Sequence, residues 1–280
     1  MLDVDSLPVA LRLGPVHLTV SDLERSASWY ERSLGLRVEA GADRAELGDG
    51  VATLVVLHED RDAQPDGDHA GLFHYCLLYP TREELARAAV RLEETSTPVS
   101  NFRDRGTHEA IYLPDPDGNA VELAWDRARE LWPDDPYGHT PVPLDAAALR
   151  ALVADEAAAP SVAEGLAVGH VHFTIGDVEQ AVDFYSRALG FDLKYHVGPA
   201  AFFSVGGYHH QVAANVWKGV GLAPKPPHRL GIHHWTIELA GEDEVEAARA
   251  RLQATGNDVE PIPHGFACRD PWNIQLHVVA

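Results

Sequence analysis

At 280 residues, with 45% hydrophobic and 23% charged residues, the chain has ordinary globular composition and the length of about two domains, which argues against disorder. Its 22 basic and 43 acidic residues leave a net charge of −21, so the average surface repels phosphate backbones and anionic membranes, and nucleic acid is not an expected partner. Met1-Leu2-Asp3-Val4-Asp5 shows no basic region followed by an apolar stretch, and no later apolar run approaches the roughly 20 residues that cross a bilayer; the expectation is a cytoplasmic protein that does not contact membranes.

In chain order, the alternation of Val16, Leu18 and Val20 predicts a strand, and Ser21-Asp22 offers caps for a helix. Leu23, Tyr30 and Leu34 recur at roughly helical spacing, and Gly35 can close the helix in a left-handed conformation. A strand over 50–57 follows, then a second β-first unit from Leu72 to Leu78. Thr81 with Glu84 reads as a capping box, and Leu85, Ala88, Ala89 and Leu92 as the apolar stripe of the next helix. Ala110 to Leu113 and Ala120 to Trp125 read as strands around an Asp115-Pro116-Asp117-Gly118-Asn119 turn. A proline-rich stretch from Trp132 to Pro143 precedes a short alanine-rich helix within 145–156. Cys76 and Cys268 read as small, buried, reduced residues.

The pattern then starts again. Val16-His17-Leu18-Thr19-Val20-Ser21-Asp22 returns as Val171-His172-Phe173-Thr174-Ile175-Gly176-Asp177, and the same offset relates Tyr30 to Tyr185, Gly35 to Gly190 and Asp115-Pro116 to Asp270-Pro271. A tandem duplication predicts an N-terminal domain at 1–128, a linker at 129–164 and a C-terminal domain at 165–280. The last turn, Asp270-Pro271-Trp272-Asn273, reads as two residues shorter than its counterpart.

Three polar residues on predicted strands of the first copy form a candidate metal triad: His17, His74 and Glu122. Strand alternation puts His74 on the face of Cys76, and Glu122 on the face of Ala120 and Ala124, whose small side chains leave room for an ion. Any one strand histidine is more often a hydrogen-bonded structural residue, and Glu122 could pair with Arg127; the combination is what points to a metal. Two histidines and a carboxylate are the ligand set of non-haem Fe(II) oxygenases and also serve catalytic zinc, so ligand identity leaves the metal open. In the second copy the corresponding positions read His172, His234 and Gln275, with His277 on the strand face of Gln275. That copy is expected to be a retired or altered site.

Val16 to Asp22, Trp29 to Leu36, Gly71-Leu72-Phe73-His74 and Asp115 to Leu123 together resemble the vicinal oxygen chelate superfamily, which includes glyoxalase I, bleomycin resistance proteins and type I extradiol dioxygenases. The resemblance implies an α+β fold of tandem domains, each of two βαβββ modules forming a curled, mostly antiparallel sheet around a cavity. Among subfamilies the chain looks most like two-domain catechol- or hydroquinone-type ring-cleaving dioxygenases. That similarity implies an Fe(II) cofactor, with Mn(II), Zn(II) or Ni(II) as alternatives, and a small aromatic substrate together with molecular oxygen; a homo-oligomer is compatible with it. It implies an acid-base role for His58, ahead of His74, and a substrate-binding role for Tyr112, ahead of Glu122. Read from the residues alone, His58 beside Glu59-Asp60-Arg61-Asp62 is equally an exposed strand end, and Tyr112 is equally ordinary packing. The chain departs from the family in one respect: the well-known two-domain enzymes keep iron in the C-terminal domain, whereas the intact triad here is N-terminal. A glyoxalase-like isomerase or lyase and a non-catalytic aromatic- or antibiotic-binding protein are the competing functions; the first is weakened because Ala52 to His58 carries no glutamate.

Overall fold

A computed structural model describes residues 6–65, 67–135, 137, 140–156 and 159–280; the expectation for residues 1–5 and the Pro136 part of the proline-rich stretch lie outside them. Four βαβββ modules follow one another. The first is β1 (Arg12–Val20), α1 (Leu23–Trp29) running into a π-helical stretch at Tyr30–Leu34, β2 (Arg37–Ala40), β3 (Arg44–Gly48) and β4 (Thr53–Glu59). The second is β5 (Gly71–Leu78), α2 (Arg82–Glu94), β6 (Asn101–Asp104), β7 (His108–Pro114) and β8 (Ala120–Asp126). A connecting stretch holds β9 (Val142–Pro143) and α3 (Ala146–Ala151). The third module is β10 (Ala167–Thr174), α4 (Val178–Ala181) running into a π-helical stretch at Val182–Ala188, β11 (Asp192–Val197), β12 (Ala200–Ser204) and β13 (Val212–Asn215). The fourth is β14 (Gly231–Glu238), α5 (Glu242–Ala254), β15 (Val259–Ile262), β16 (Gly265–Arg269) and β17 (Gln275–Val279). The sheet is mixed: β5 runs parallel to β8, β10 to β13 and β14 to β17, while β6–β7, β7–β8 and β15–β16–β17 are antiparallel. Among the described residues no helix is long and apolar enough to cross a membrane.

The local signals act as the sequence suggests. The Asp22 side chain caps α1 by accepting from the Arg25 N–H, and Thr81 caps α2 by accepting from the Glu84 N–H. Gly35 (φ 73°) closes the first helix in the left-handed region, as Gly190 (φ 100°) does in the second copy. The Glu84 carboxylate pairs with Arg87. Both cysteines are buried and free.

Contacts divide the chain into two compact units: Met1–Thr19, Asp62–Phe73 and His170–Ala280 form the first, and Val20–Arg61 with His74–Gly169 the second. Each unit combines segments from both sequence copies. In the first unit β1 of copy one pairs antiparallel with β14 of copy two. The segments leading into β1 and β10 also cross over: the Leu7 N–H donates to the Gly190 carbonyl, and the Val162 N–H donates to the Gly35 carbonyl. Strand edges carry no label of origin, so a duplicated chain can satisfy them with a strand from either copy.

The repeated tyrosine and Asp-Pro turn meet in the core of each unit. Tyr30 donates to Asp115 Oδ2 at 3.1 Å, and Tyr185 donates to Asp270 Oδ2 at 2.8 Å. The other oxygen caps the turn, Asp115 Oδ1 taking the N–H groups of Asp117 and Asn119, and Asp270 Oδ1 those of Trp272 and Ile274. The two turns are therefore the same length, which corrects the reading of a shorter second turn; a change of residue type hid an unchanged backbone. Burial raises the Asp270 carboxyl to about 6 against the hydrogen bonds it accepts. Since the folded value lies above the ordinary one of 3.8, its contribution to stability is full below about pH 4 and is lost as the pH rises through about 6. Asp270→Asn is expected to flatten the pH dependence of urea unfolding between these limits, by roughly 3 kcal/mol; a wild-type profile in that variant would refute the assignment.

Candidate metal centre

In the second unit, β8 lies between β5 and β7, with Cys76 opposite Glu122 on one side and Tyr112 opposite Glu122 on the other. Residues opposite one another on paired strands share a face, so His74, Cys76, His108, Ala110, Tyr112, Glu122 and Ala124 line one surface. Cys76, Ala110 and Ala124 form its small buried floor, with Leu78 and Tyr112 packed against it.

Glu122, 1% exposed, stands at the centre. Its Oε2 is 3.0 Å from His74 Nε2, and its Oε1 is 3.1 Å from His108 Nε2. His108 Nδ1 lies 2.8 Å from the Thr107 hydroxyl. With that hydroxyl donating to Nδ1, the Nε2–H of His108 is left to donate to Glu122. The Tyr112 hydroxyl donates to Glu122 and accepts from Arg105 Nη2 at 3.2 Å. The Arg105 guanidinium also sits 5.7 Å from the Tyr112 ring centroid. Burial first, then the Glu122 charge, pushes the Tyr112 hydroxyl and the Cys76 thiol well above their ordinary values, so both stay protonated. Burial alone would lower Arg105, but Tyr112 and Glu122 raise it, and it remains a fixed cation.

A metal fits this donor set. Two ligands about 2.1 Å from an ion and at right angles about it lie about 3.0 Å apart, which is the His74–Glu122 separation. His74 and Glu122 are thus brought together as the sequence predicts, with Tyr112 beside them. His108 was not anticipated; the available signal was strand alternation, which puts it on the face of Ala110 and Tyr112. His58 stands at the end of β4 opposite Arg44, half-buried, its pKa lowered by burial and then by Arg44, so its imidazole is neutral at neutral pH.

His17 lies in the first unit, opposite His234. The two rings stack at 3.7 Å, and His234 stacks in turn on His277 at 3.9 Å. Lone pairs lie in the ring planes, so near-parallel imidazoles do not converge on one ion. The register also corrects the comparison of copies. Cys76 is opposite Glu122, and its counterpart Thr236 is opposite His277, with His234 opposite Gln275. The residue standing for Glu122 in the second copy is therefore His277, and Gln275 matches Ala120. His172 accepts from or donates to Asn215 at 2.9 Å and packs against Phe73 and Trp217.

The family model described as the Glyoxalase/Bleomycin resistance protein/Dioxygenase superfamily matches twice, over residues 12–123 and 167–278. The chain belongs to this superfamily. It is 34% identical over 267 residues to a catechol-2,3-dioxygenase of Bacillus subtilis (strain 168), covering 92% of this chain and 93% of that protein. The fold is that of the solved structure of a candidate dioxygenase from Bacillus subtilis subsp. subtilis str. 168 (TM-score 0.63, 14% identity, 98% of this chain and 85% of that one). Glyoxalase I from Zea mays is similar in fold too (TM-score 0.60, 15% identity, 96% of this chain and 92% of that one). Within the superfamily, the duplicated βαβββ modules here carry a carboxylate-containing donor cluster at Glu122 and a stack of histidines at His234.

Proposed function

We propose that the chain is an extradiol ring-cleaving dioxygenase acting on a catechol- or hydroquinone-like aromatic, with its metal held by His74 and Glu122. The observation that carries this is the 3.0 Å pair of His74 with a buried carboxylate that His108 and Tyr112 also reach, packed on a floor of small side chains.

The similarity to a catechol-2,3-dioxygenase supports the reaction class. When bound, Fe(II), with Mn(II), Zn(II) or Ni(II) as alternatives, would supply Lewis acidity toward the substrate hydroxyls and redox chemistry toward oxygen. Tyr112, kept protonated, holds a substrate oxygen by hydrogen bonding, and Arg105 fixes the Tyr112 ring and hydroxyl. His108 holds the Glu122 carboxylate in place. His58, with a neutral imidazole, is proposed as proton acceptor and donor.

The test is metal content and oxygen uptake, over a panel of catechols and hydroquinones, of anaerobically Fe(II)-loaded wild type and of His74→Ala, His17→Ala and His58→Gln. His74→Ala is expected to lose metal and activity, His17→Ala to keep both, and His58→Gln to keep metal while kcat falls. Oxygen uptake absent across the panel in metal-loaded wild type would remove the proposal; wild-type turnover in His58→Gln would remove that residue's role.

A further inference from the structure

Strand β7 begins two residues earlier than its counterpart in the other copy. Tyr112 is opposite Glu122 as Ala267 is opposite His277, and Ala110 is opposite Ala124 as Gly265 is opposite Val279. Gly265 is the first residue of β16, and a tight turn precedes it, Ile262 being opposite Gly265. The first copy instead extends its strand by His108 and Glu109. The extension is firmly anchored. Glu109 is buried and accepts from Arg82 Nε and Arg127 Nη2, both at 2.8 Å. The Arg127 N–H donates to the Thr107 carbonyl and the Arg105 N–H to the His108 carbonyl.

On the face of Glu122 the extension adds one imidazole. His108 stands four residues from Tyr112, about 13 Å along the strand, yet its Nε2 is 3.1 Å from Glu122 Oε1. The two side chains meet over Ala110 and Ala124, both buried and opposite one another in the row between them. A longer side chain in that row would fill the path. A carboxylate only accepts, so Nε2 carries the hydrogen toward Oε1. The buried Thr107 hydroxyl, 2.8 Å from Nδ1, secures the ring from its other side. His74 Nε2 is 3.0 Å from the other oxygen, Oε2. The carboxylate is therefore held with one oxygen turned to His108 and the other to His74. Offering one oxygen leaves the remaining positions of an ion to substrate and dioxygen.

We propose that Thr107 and His108 are positioning residues for the metal centre: together they occupy Glu122 Oε1, so that the carboxylate presents Oε2 alone beside His74. The inference deepens the proposed function and rests on His74 and Glu122 as ligands. The other copy supplies a comparison inside the same chain. By the register of the two hairpins, Thr107 and His108 are matched there by Ile262 and Pro263, and Glu122 by His277. Where the carboxylate is missing, the pair that would orient it is missing too.

The experiment measures Co(II) affinity of the full chain, and its Co(II) d–d absorption spectrum at saturating metal, for the ion that wild type binds and His74→Ala does not. His108→Ala is expected to weaken binding about 10–100-fold, the range for residues that orient metal ligands, and to shift the spectrum even at saturation. His108→Gln keeps an N–H donor at about the same reach and is expected to recover most of the affinity and the wild-type bands. Thr107→Val keeps shape without the hydroxyl and should weaken binding in the same direction, whereas Thr107→Ser should match wild type. Thr107→Val/His108→Ala is expected to bind no more weakly than His108→Ala alone, because Thr107 acts through the ring. Lowered Tm with wild-type affinity and spectrum in His108→Ala, or in Thr107→Val should His108→Ala fold poorly, would mean that the pair only stabilises the hairpin and would overturn the inference. Additive losses in the double variant would do the same. Wild-type binding in both His74→Ala and Glu122→Gln would instead sink the ligand assignment on which it rests.

Discussion

Glu122→His is expected to empty the metal centre. The substitution writes into the second unit the residue that the other copy uses at the matching register position, His277. Its effect follows from charge more than from shape. Glu122 is the carboxylate that His74, His108 and Tyr112 all reach, and it supplies the negative charge that offsets a divalent ion in a site closed to solvent. A third imidazole beside His74 and His108 offers no such charge, and can settle into ring stacking as His277 does on His234. Losing a ligand should cost more than the 10–100-fold typical of outer residues, so affinity is expected to fall at least about a hundredfold, and oxygen uptake with it. Glu122→Gln, which keeps shape and removes charge, should fall in the same direction. Metal stoichiometry after dialysis, measured beside oxygen consumption, checks both; one ion retained per chain in Glu122→His would show that the centre lies elsewhere.

Asp115→Ala is expected to be the most destabilising single change outside that centre. Four donors converge on this buried side chain: the Asp117 and Asn119 N–H groups, the Asn119 side-chain amide and the Tyr30 hydroxyl. Tyr30 in turn accepts from Tyr75 at 2.8 Å, so the turn, the π-helical stretch and β5 are tied through one carboxylate. Each stranded buried donor costs about 1–3 kcal/mol, and with some relief from water entry the total is about 4 kcal/mol, a large part of the 5–15 kcal/mol typical of a folded domain. Tyr30→Phe removes one of the four bonds and should cost about 1 kcal/mol. Urea unfolding of the two variants side by side gives the comparison. Equal losses would mean that the turn, not the tyrosine, makes no difference, and would contradict this account.

Much of this was legible from the chain. Tyr30 and Tyr185, and Asp115-Pro116 and Asp270-Pro271, were marked by recurrence before any contact was known, and they proved to be the two ends of one hydrogen bond in each unit. The caps at Asp22 and Thr81 and the left-handed glycines at 35 and 190 are satisfied within a few residues, so local chemistry suffices to predict them. His74 and Glu122 could be placed on inward faces because alternation is a property of a single strand. His108 was missed because its partner lies across a strand pairing, and His277 because a turn of unchanged length was judged by its residue types.

By itself, then, the sequence determined the duplicated pattern of β-first units, the helix caps and the face on which each polar strand residue lies, since all of these depend on neighbours within a few positions or on plain recurrence. Only the tertiary structure decided which copy each strand joins. Backbone donors and acceptors on a strand edge are the same whichever copy offers them, so partner choice falls to side-chain packing and to ties such as the Asp49 carboxylate with the Gly165 and Leu166 N–H groups. That choice sets His17 into a stack with His234 and His277, and leaves His74 and Glu122 to form the candidate metal centre.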